Sequence, residues 1–146
     1  MKNILLATLF LLITISSVNA QDWITDFENA KALATKKNKT IILVFQGSDW
    51  CAPCIKLDKE VWSTEEFQSY AKDNFVMLQA DFPKRKKNAL SEQQQAHNNN
   101  LAEIFNKNGY FPYVVVLDSD GNELGAIGYK KTTPSAYIKT LESFKK

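Results

Sequence analysis

Apolar and polar positions alternate along the chain with periods that change several times. In residues 22–39 the apolar side chains fall at Trp23, Ile24, Phe27, Ala30, Ala32, Leu33 and Ala34, ahead of a Lys/Asn stretch. That spacing predicts an amphipathic helix over most of the segment. The run TIILVFQ at 40–46 has no polar alternation and is rich in β-branched and aromatic residues, which predicts a strand covered on both faces. Gly47, Ser48 and Asp49 form a turn, and a helix should open at 50–54 with Pro53 in its first turn, where an N–H is dispensable. Ile55, Leu57, Val61 and Trp62 would be its inner face. Residues 63–73 predict a short helix, with Ser63 and Glu66 at capping-box spacing. FVMLQADF at 75–82 reads as a second buried strand and 83–87 as a basic loop. Residues 88–107 read as a polar helix that touches the core through Leu90, Leu101, Ile104 and Phe105. PYVVVLD at 112–118, a turn from Asp118 to Asn122, and residues 123–129 make a strand, a hairpin turn and a strand. Thr133-Pro134 opens a closing helix that faces in through Ala136, Tyr137, Leu141 and Phe144.

The first two strands are joined through helices, so they should lie parallel with a right-handed crossover, while the last two form an antiparallel hairpin. The expected fold class is α/β, a mixed central sheet of about four strands with helices on both faces. There is no internal repeat, and the only biased tracts are short Gln and Asn runs at 93–95 and 98–100.

The first twenty residues differ from the rest. Lys2 precedes an apolar run from Ile4 to Ile15, and Ser16, Ser17, Val18, Asn19 and Ala20 follow with small and polar side chains. This is the build of a cleaved signal peptide, expected at 1–20, with one domain at 21–146. The run is short for a membrane anchor, and no cysteine follows it to carry a lipid. The expected location is therefore the periplasm or the medium, with no stable membrane insertion after cleavage. Removing Lys2 leaves 17 basic against 16 acidic residues, a net charge of +1. That balance gives no reason to expect nucleic acid or a membrane surface as partner.

Cys51 and Cys54 are the only cysteines. In an exported chain they can persist as a disulfide. A bridge between residues three apart closes a very small loop and removes little entropy from the unfolded chain, so reactivity explains it better than stapling. A plain structural bridge stays open as the alternative. Cys51 at a helix start would meet unpaired N–H groups that favour thiolate, and Cys54 one turn on would lie within reach of it. The chemistry calls for one accessible and one shielded thiol. Zinc needs about four ligands, and only the distant His97 is available, itself read as a solvated side chain. A c-type haem site needs histidine after the second cysteine, where Ile55 stands. No cofactor or metal is expected.

Taken together, WCAPC ahead of a helix, Phe111-Pro112 ahead of the VVVLD strand, and the hairpin VVVLDSDGNELGAIGY make the chain resemble the thioredoxin superfamily. It is most similar there to exported proteins like the C-terminal domain of the transmembrane disulfide reductase. The resemblance covers nearly all of residues 21–146. It implies a thioredoxin fold in which Cys51 attacks and Cys54 resolves. It also implies a cis Phe111-Pro112 bond and a substrate groove lined by Trp50, Ala52, Pro53, Phe111, Pro112 and Gly128. The chain departs from the family pattern in three places: Ala52 stands for the more usual glycine, residues 41–45 contain no acid, and Tyr110 and Tyr113 flank Phe111-Pro112.

The expected function is thiol–disulfide exchange with disulfide-bearing exported proteins. The first choice of direction is reductant, kept reduced by a membrane electron-donor protein, and the default state is monomer. A weak oxidant or isomerase, and a binding module whose cysteines are merely closed, are the alternatives. The run Lys84-Arg85-Lys86-Lys87 reads as a solvated loop or as a docking surface for an acidic partner. Asp118 to Asn122 is too short for a calcium loop.

Overall fold

The structure, a computed structural model, describes residues 21–145, so the expected signal peptide at 1–20 lies outside the described residues. Four strands, β1 (Thr40–Gln46), β2 (Phe75–Asp81), β3 (Tyr113–Leu117) and β4 (Glu123–Gly128), form one mixed sheet in the order β2-β1-β3-β4. β1 pairs parallel with β2 and antiparallel with β3, and β3 pairs antiparallel with β4. Five α-helices surround it: α1 (Phe27–Lys37), α2 (Ala52–Leu57), α3 (Glu65–Asn74), α4 (Glu92–Phe105) and α5 (Pro134–Ser143).

The expected burial of β1 on both faces follows from this topology. Because side chains alternate along a strand, Ile42 and Val44 join Met77, Val114 and Val116 in one core with Phe67 of α3 and Tyr137 and Leu141 of α5. Ile41, Leu43 and Phe45 join Val76, Leu78, Val115 and Leu117 in a second core with Ala30 and Ala34 of α1 and Leu101 of α4. Every residue from Ile41 to Phe45 is fully buried.

Several local expectations are corrected. Helix α1 begins only at Phe27, capped by the Asp26 carboxylate, which accepts the Asn29 N–H at 2.7 Å. The preceding residues are extended: Ile24 bridges Leu78 in parallel, donating to the Met77 carbonyl and accepting from the Gln79 N–H, both at 2.9 Å. This short piece covers the outer edge of β2. The cap of α3 is Thr64, which accepts from the Phe67 N–H at 3.3 Å, and not Ser63. Ile55 is 49% exposed and Ile104 60%, so neither belongs to the inner face assigned to it. His97 is partly buried, and its Nε2 accepts the N–H of Phe27 at 3.1 Å, satisfying one orphan donor at the start of α1.

Helix α2 runs on into a π-helical turn, Asp58–Trp62. The wider turn closes with the Ser63 N–H on the Asp58 carbonyl at 2.8 Å. Val61 and Trp62 are buried there, and the Trp62 ring meets Phe67, Tyr137 and Trp23 edge-on at 4.7, 5.4 and 6.2 Å.

Candidate active site

At the end of β1 the chain turns through residues 47–50, where the N–H groups of Trp50 and Cys51 both donate to the Gly47 carbonyl, at 3.2 and 2.8 Å. Cys51 is the N-cap of α2. Its Sγ accepts the Cys54 N–H at 3.3 Å, so a helix-terminal donor is aimed at the sulfur. The two cysteines are joined in a disulfide with their Cα atoms 5.2 Å apart. Cys51 is 4% exposed and Cys54 3%, which corrects the expectation of one open and one shielded sulfur: in the disulfide state both are buried. Ala52 and Pro53 between them are exposed, with Pro53 in the first helical turn as expected.

Three residues of the turn, Ser48, Asp49 and Trp50, are tied to the end of β2 or to the segment that follows it. The Ser48 N–H and hydroxyl donate to the two carboxylate oxygens of Asp81, at 2.9 and 2.6 Å. The Asp49 carboxylate accepts the backbone N–H groups of Lys84 and Arg85 at 2.9 and 3.0 Å, and the Asn88 amide at 2.8 Å. Those donors, Lys84 N–H foremost and then the Asn88 side chain, hold its pKa below the ordinary 3.8, and the Arg85 charge adds to the effect. The Trp50 indole N–H donates to the Phe82 carbonyl at 2.7 Å. Its ring lies over Gly47, where a Cβ would come within 2.3 Å of it. Sequence reasoning missed Ser48, Asp49, Asp81 and Phe82 as parts of this site, because their partners lie more than thirty residues apart and no local period signals them, and it missed Gly47, which leaves room for the Trp50 ring.

Trp50 is 38% exposed and meets Phe111 edge-on at 5.5 Å, and Phe111 meets Phe82 at the same distance. The Phe111–Pro112 peptide bond is cis. Pro112 is buried, and Tyr113 after it pairs with Phe45 of β1 on one side and Gly128 of β4 on the other. A Cβ on Gly128 would stand 3.6 Å from the Pro112 carbonyl oxygen, an ordinary contact, so Gly128 borders this corner without being sterically required there. The buried Asn106 braces the approach to Phe111. Its amide donates to the Tyr110 carbonyl at 2.9 Å and its oxygen accepts the Tyr110 N–H at 3.0 Å.

Beside Cys54, a cleft of about 240 Å³ is lined by Trp23, Gln46, Ser48, Cys54, Ile55 and Asp58. β1 offers no acid there, and Asp58 is the one carboxylate in that lining. A larger groove of about 530 Å³ between α3 and α5 contains no cysteine. Among the described residues no three His, Cys, Asp or Glu side chains converge on a metal-sized point, and no helix is long and apolar enough to cross a membrane. The arrangement can form and break a disulfide beside a partly exposed aromatic surface.

Comparison with known proteins agrees with this geometry. The family model described as thioredoxin-like matches residues 22–119. The disulfide bond reductase DsbH of Chlamydia pneumoniae is 34% identical over 116 residues, covering 78% of this chain and 68% of the relative. A solved structure of a DsbH oxidoreductase superposes with a TM-score of 0.79 at 27% identity, covering 99% of this chain and 94% of the other. The oxidised C-terminal domain of DsbD from Neisseria meningitidis shares the fold, with a TM-score of 0.52 at 20% identity over 80% of this chain and 90% of that one.

Proposed function

This chain belongs to the thioredoxin-like family and has its thiol–disulfide oxidoreductase character, and we propose that it works outside the cytoplasm as a reductant of disulfides in exported proteins. The observation that carries the proposal is the Cys51–Cys54 pair at a helix start, with a backbone N–H on Cys51 Sγ and the Trp50–Phe111 surface next to it. The relative named a disulfide bond reductase supports the direction. The leader-like residues 1–20 support export, to the periplasm or beyond, with 21–146 as the working domain.

In the reduced protein the Cys51 thiolate attacks one sulfur of a substrate disulfide. That S–S bond breaks, the other substrate sulfur leaves as a thiolate and takes up a proton, and a mixed disulfide remains on Cys51. Cys54 then loses its proton and attacks Cys51 Sγ, and the second substrate sulfur departs as a thiol. Two electrons and two protons pass to the substrate, and the protein is left with the Cys51–Cys54 disulfide. The Cys54 N–H stabilises negative charge on Cys51 at the first step. Trp50, Ala52, Pro53, Phe111, Pro112 and Gly128 form the surface on which an extended substrate segment lies. A membrane electron-donor protein restores the dithiol, and the protein acts as a monomer.

The test is Cys54→Ser. It should accumulate substrate proteins as mixed disulfides on Cys51, seen as bands that vanish with thiol, while Cys51→Ser traps none. No trapping, with no reduction of insulin by the wild type, would refute exchange and leave a binding module. The potential assigns direction: a value near −270 mV supports a reductant and one near −120 mV an oxidant.

A further inference from the structure

The basic run at 84–87 is not a free loop: it is anchored against Asp49, two residues before Cys51. Asp49 holds the Lys84 and Arg85 N–H groups and the Asn88 side chain, and a 3-10 turn at Lys86–Asn88 closes the segment. The Lys84 ammonium sits 3.8 Å from the centre of the Trp50 ring. Lys84, Arg85, Lys86 and Lys87 are all exposed, and among the described residues none of them forms a salt bridge. Residues 21–146 have almost no net charge, so this concentration of four cations is local. The Asp49 carboxylate is engaged by the backbone N–H groups of Lys84 and Arg85 and by Asn88, and that of Asp81 by Ser48.

We propose that residues 84–87 form a cationic ledge that selects disulfides flanked by Asp or Glu in the partner protein, by pairing with those carboxylates as the partner cysteine approaches Cys51. This rests on the oxidoreductase reading. Placement matters more than charge count: Asp49 fixes the ledge, Trp50 joins it to the dithiol, and an acidic side chain a few residues from the partner's cysteine would meet Lys84 along an extended segment. Such pairing raises the association rate at low salt and fades as screening shortens the reach of the charges.

The test uses the exported protein, purified and reduced, against peptide disulfides that share one cystine core and differ in Asp/Glu, Ser/Gly or Lys flanks. Hydroxyethyl disulfide serves as a small neutral reference. The acidic peptide should react about tenfold faster than the Ser/Gly peptide at low ionic strength. The ratio should approach one in about 1 M salt, where the screening length is about 3 Å. Replacing Lys84, Arg85, Lys86 and Lys87 together by Glu should bring the ratio below one. The same four-charge change at the remote Lys36, Lys37, Lys72 and Lys139 should leave it high. Asp49→Asn should lower the ratio although it adds positive charge, because it loosens the ledge. A ratio near one while hydroxyethyl disulfide still reacts would overturn the ledge alone, as would an equal loss from the remote variant. Binding to anionic lipid vesicles with no peptide preference would also overturn it. Failure to react with any disulfide would overturn the oxidoreductase reading itself.

Discussion

Gly47→Ala isolates the way the tryptophan is seated. The added methyl would stand 2.3–2.6 Å from three indole atoms of Trp50, closer than any carbon can come, so the ring must move away. Moving it breaks the indole hydrogen bond to the Phe82 carbonyl, worth about 0.5–1.5 kcal/mol. It also loosens the edge contact with Phe111, worth about 0.5–1.5 kcal/mol, and the Lys84 cation–π contact, worth about 0.5–1 kcal/mol at an exposed site. Gly47 has no left-handed φ, so alanine fits the backbone and contributes about 0.4–1 kcal/mol by restricting the unfolded chain. The net expectation is a loss of about 0.5–3.5 kcal/mol. Urea denaturation followed by far-UV circular dichroism measures it, and tryptophan fluorescence reports the displaced ring. The decisive control is the same substitution in a Trp50→Ala background. There the clash is absent, and Gly47→Ala should be neutral or slightly stabilising. An equal loss in both backgrounds would refute the reasoning, because the penalty would then come from the backbone and not from the indole.

Asn106→Ala removes both partners of the Tyr110 backbone in a buried corner, and should cost about 1–3 kcal/mol in urea unfolding while slowing disulfide exchange, since the loop it braces carries Phe111. Asp49→Asn tests a pH dependence whose sign follows from the depressed carboxyl. Its contribution to stability is full above the ordinary 3.8 and is lost as pH falls through the lower folded value. The stability gap between wild type and variant should therefore be open at neutral pH and close in acid well below 3.8, measured as urea midpoints.

All four strands were legible, β1, β2 and β3 as short β-branched apolar runs bounded by turn residues and β4 from the hairpin turn that precedes it. Two of the three pairings followed from their connections, the helical crossover making β1 and β2 parallel and the hairpin making β3 and β4 antiparallel, whereas the antiparallel β1–β3 pairing was not legible, because the helical connection from β2 to β3 does not signal it. Errors arose where helical and extended spacing coincide. Trp23, Ile24 and Phe27 fit a helix period, yet Asp26 interrupts it as a cap and leaves Ile24 to pair with Leu78. At Ser63 and Thr64 two capping residues stand side by side, and the burial of Phe67 puts the helix in phase with the second. The outward rotation of Ile55 and Ile104 could not be read from composition, because an isoleucine near the edge of an apolar stripe looks the same as one in its centre.

The cysteines were found from spacing, but what holds them was not, and the reason is physical. A strand–turn–helix junction has no hydrophobic pattern to fix it, so its geometry must come from polar contacts made over long distances in sequence. Here Ser48, Asp49 and Trp50 bond to Asp81, to the 84–88 segment and to the Phe82 carbonyl, and Gly47 leaves room for the indole. These contacts run from the end of β1 to the end of its parallel neighbour β2, so the register of that pair sets where Cys51 stands. The buried strand therefore needs no acid to position the dithiol. Its five buried residues keep β1 rigid, and the polar work is transferred to the loop that also carries the cations. A single segment, residues 81–88, thus both locates Cys51 and forms part of the surface a partner would meet. Substitutions there should change exchange rate and partner preference together, whereas substitutions in the α3–α5 groove should change neither.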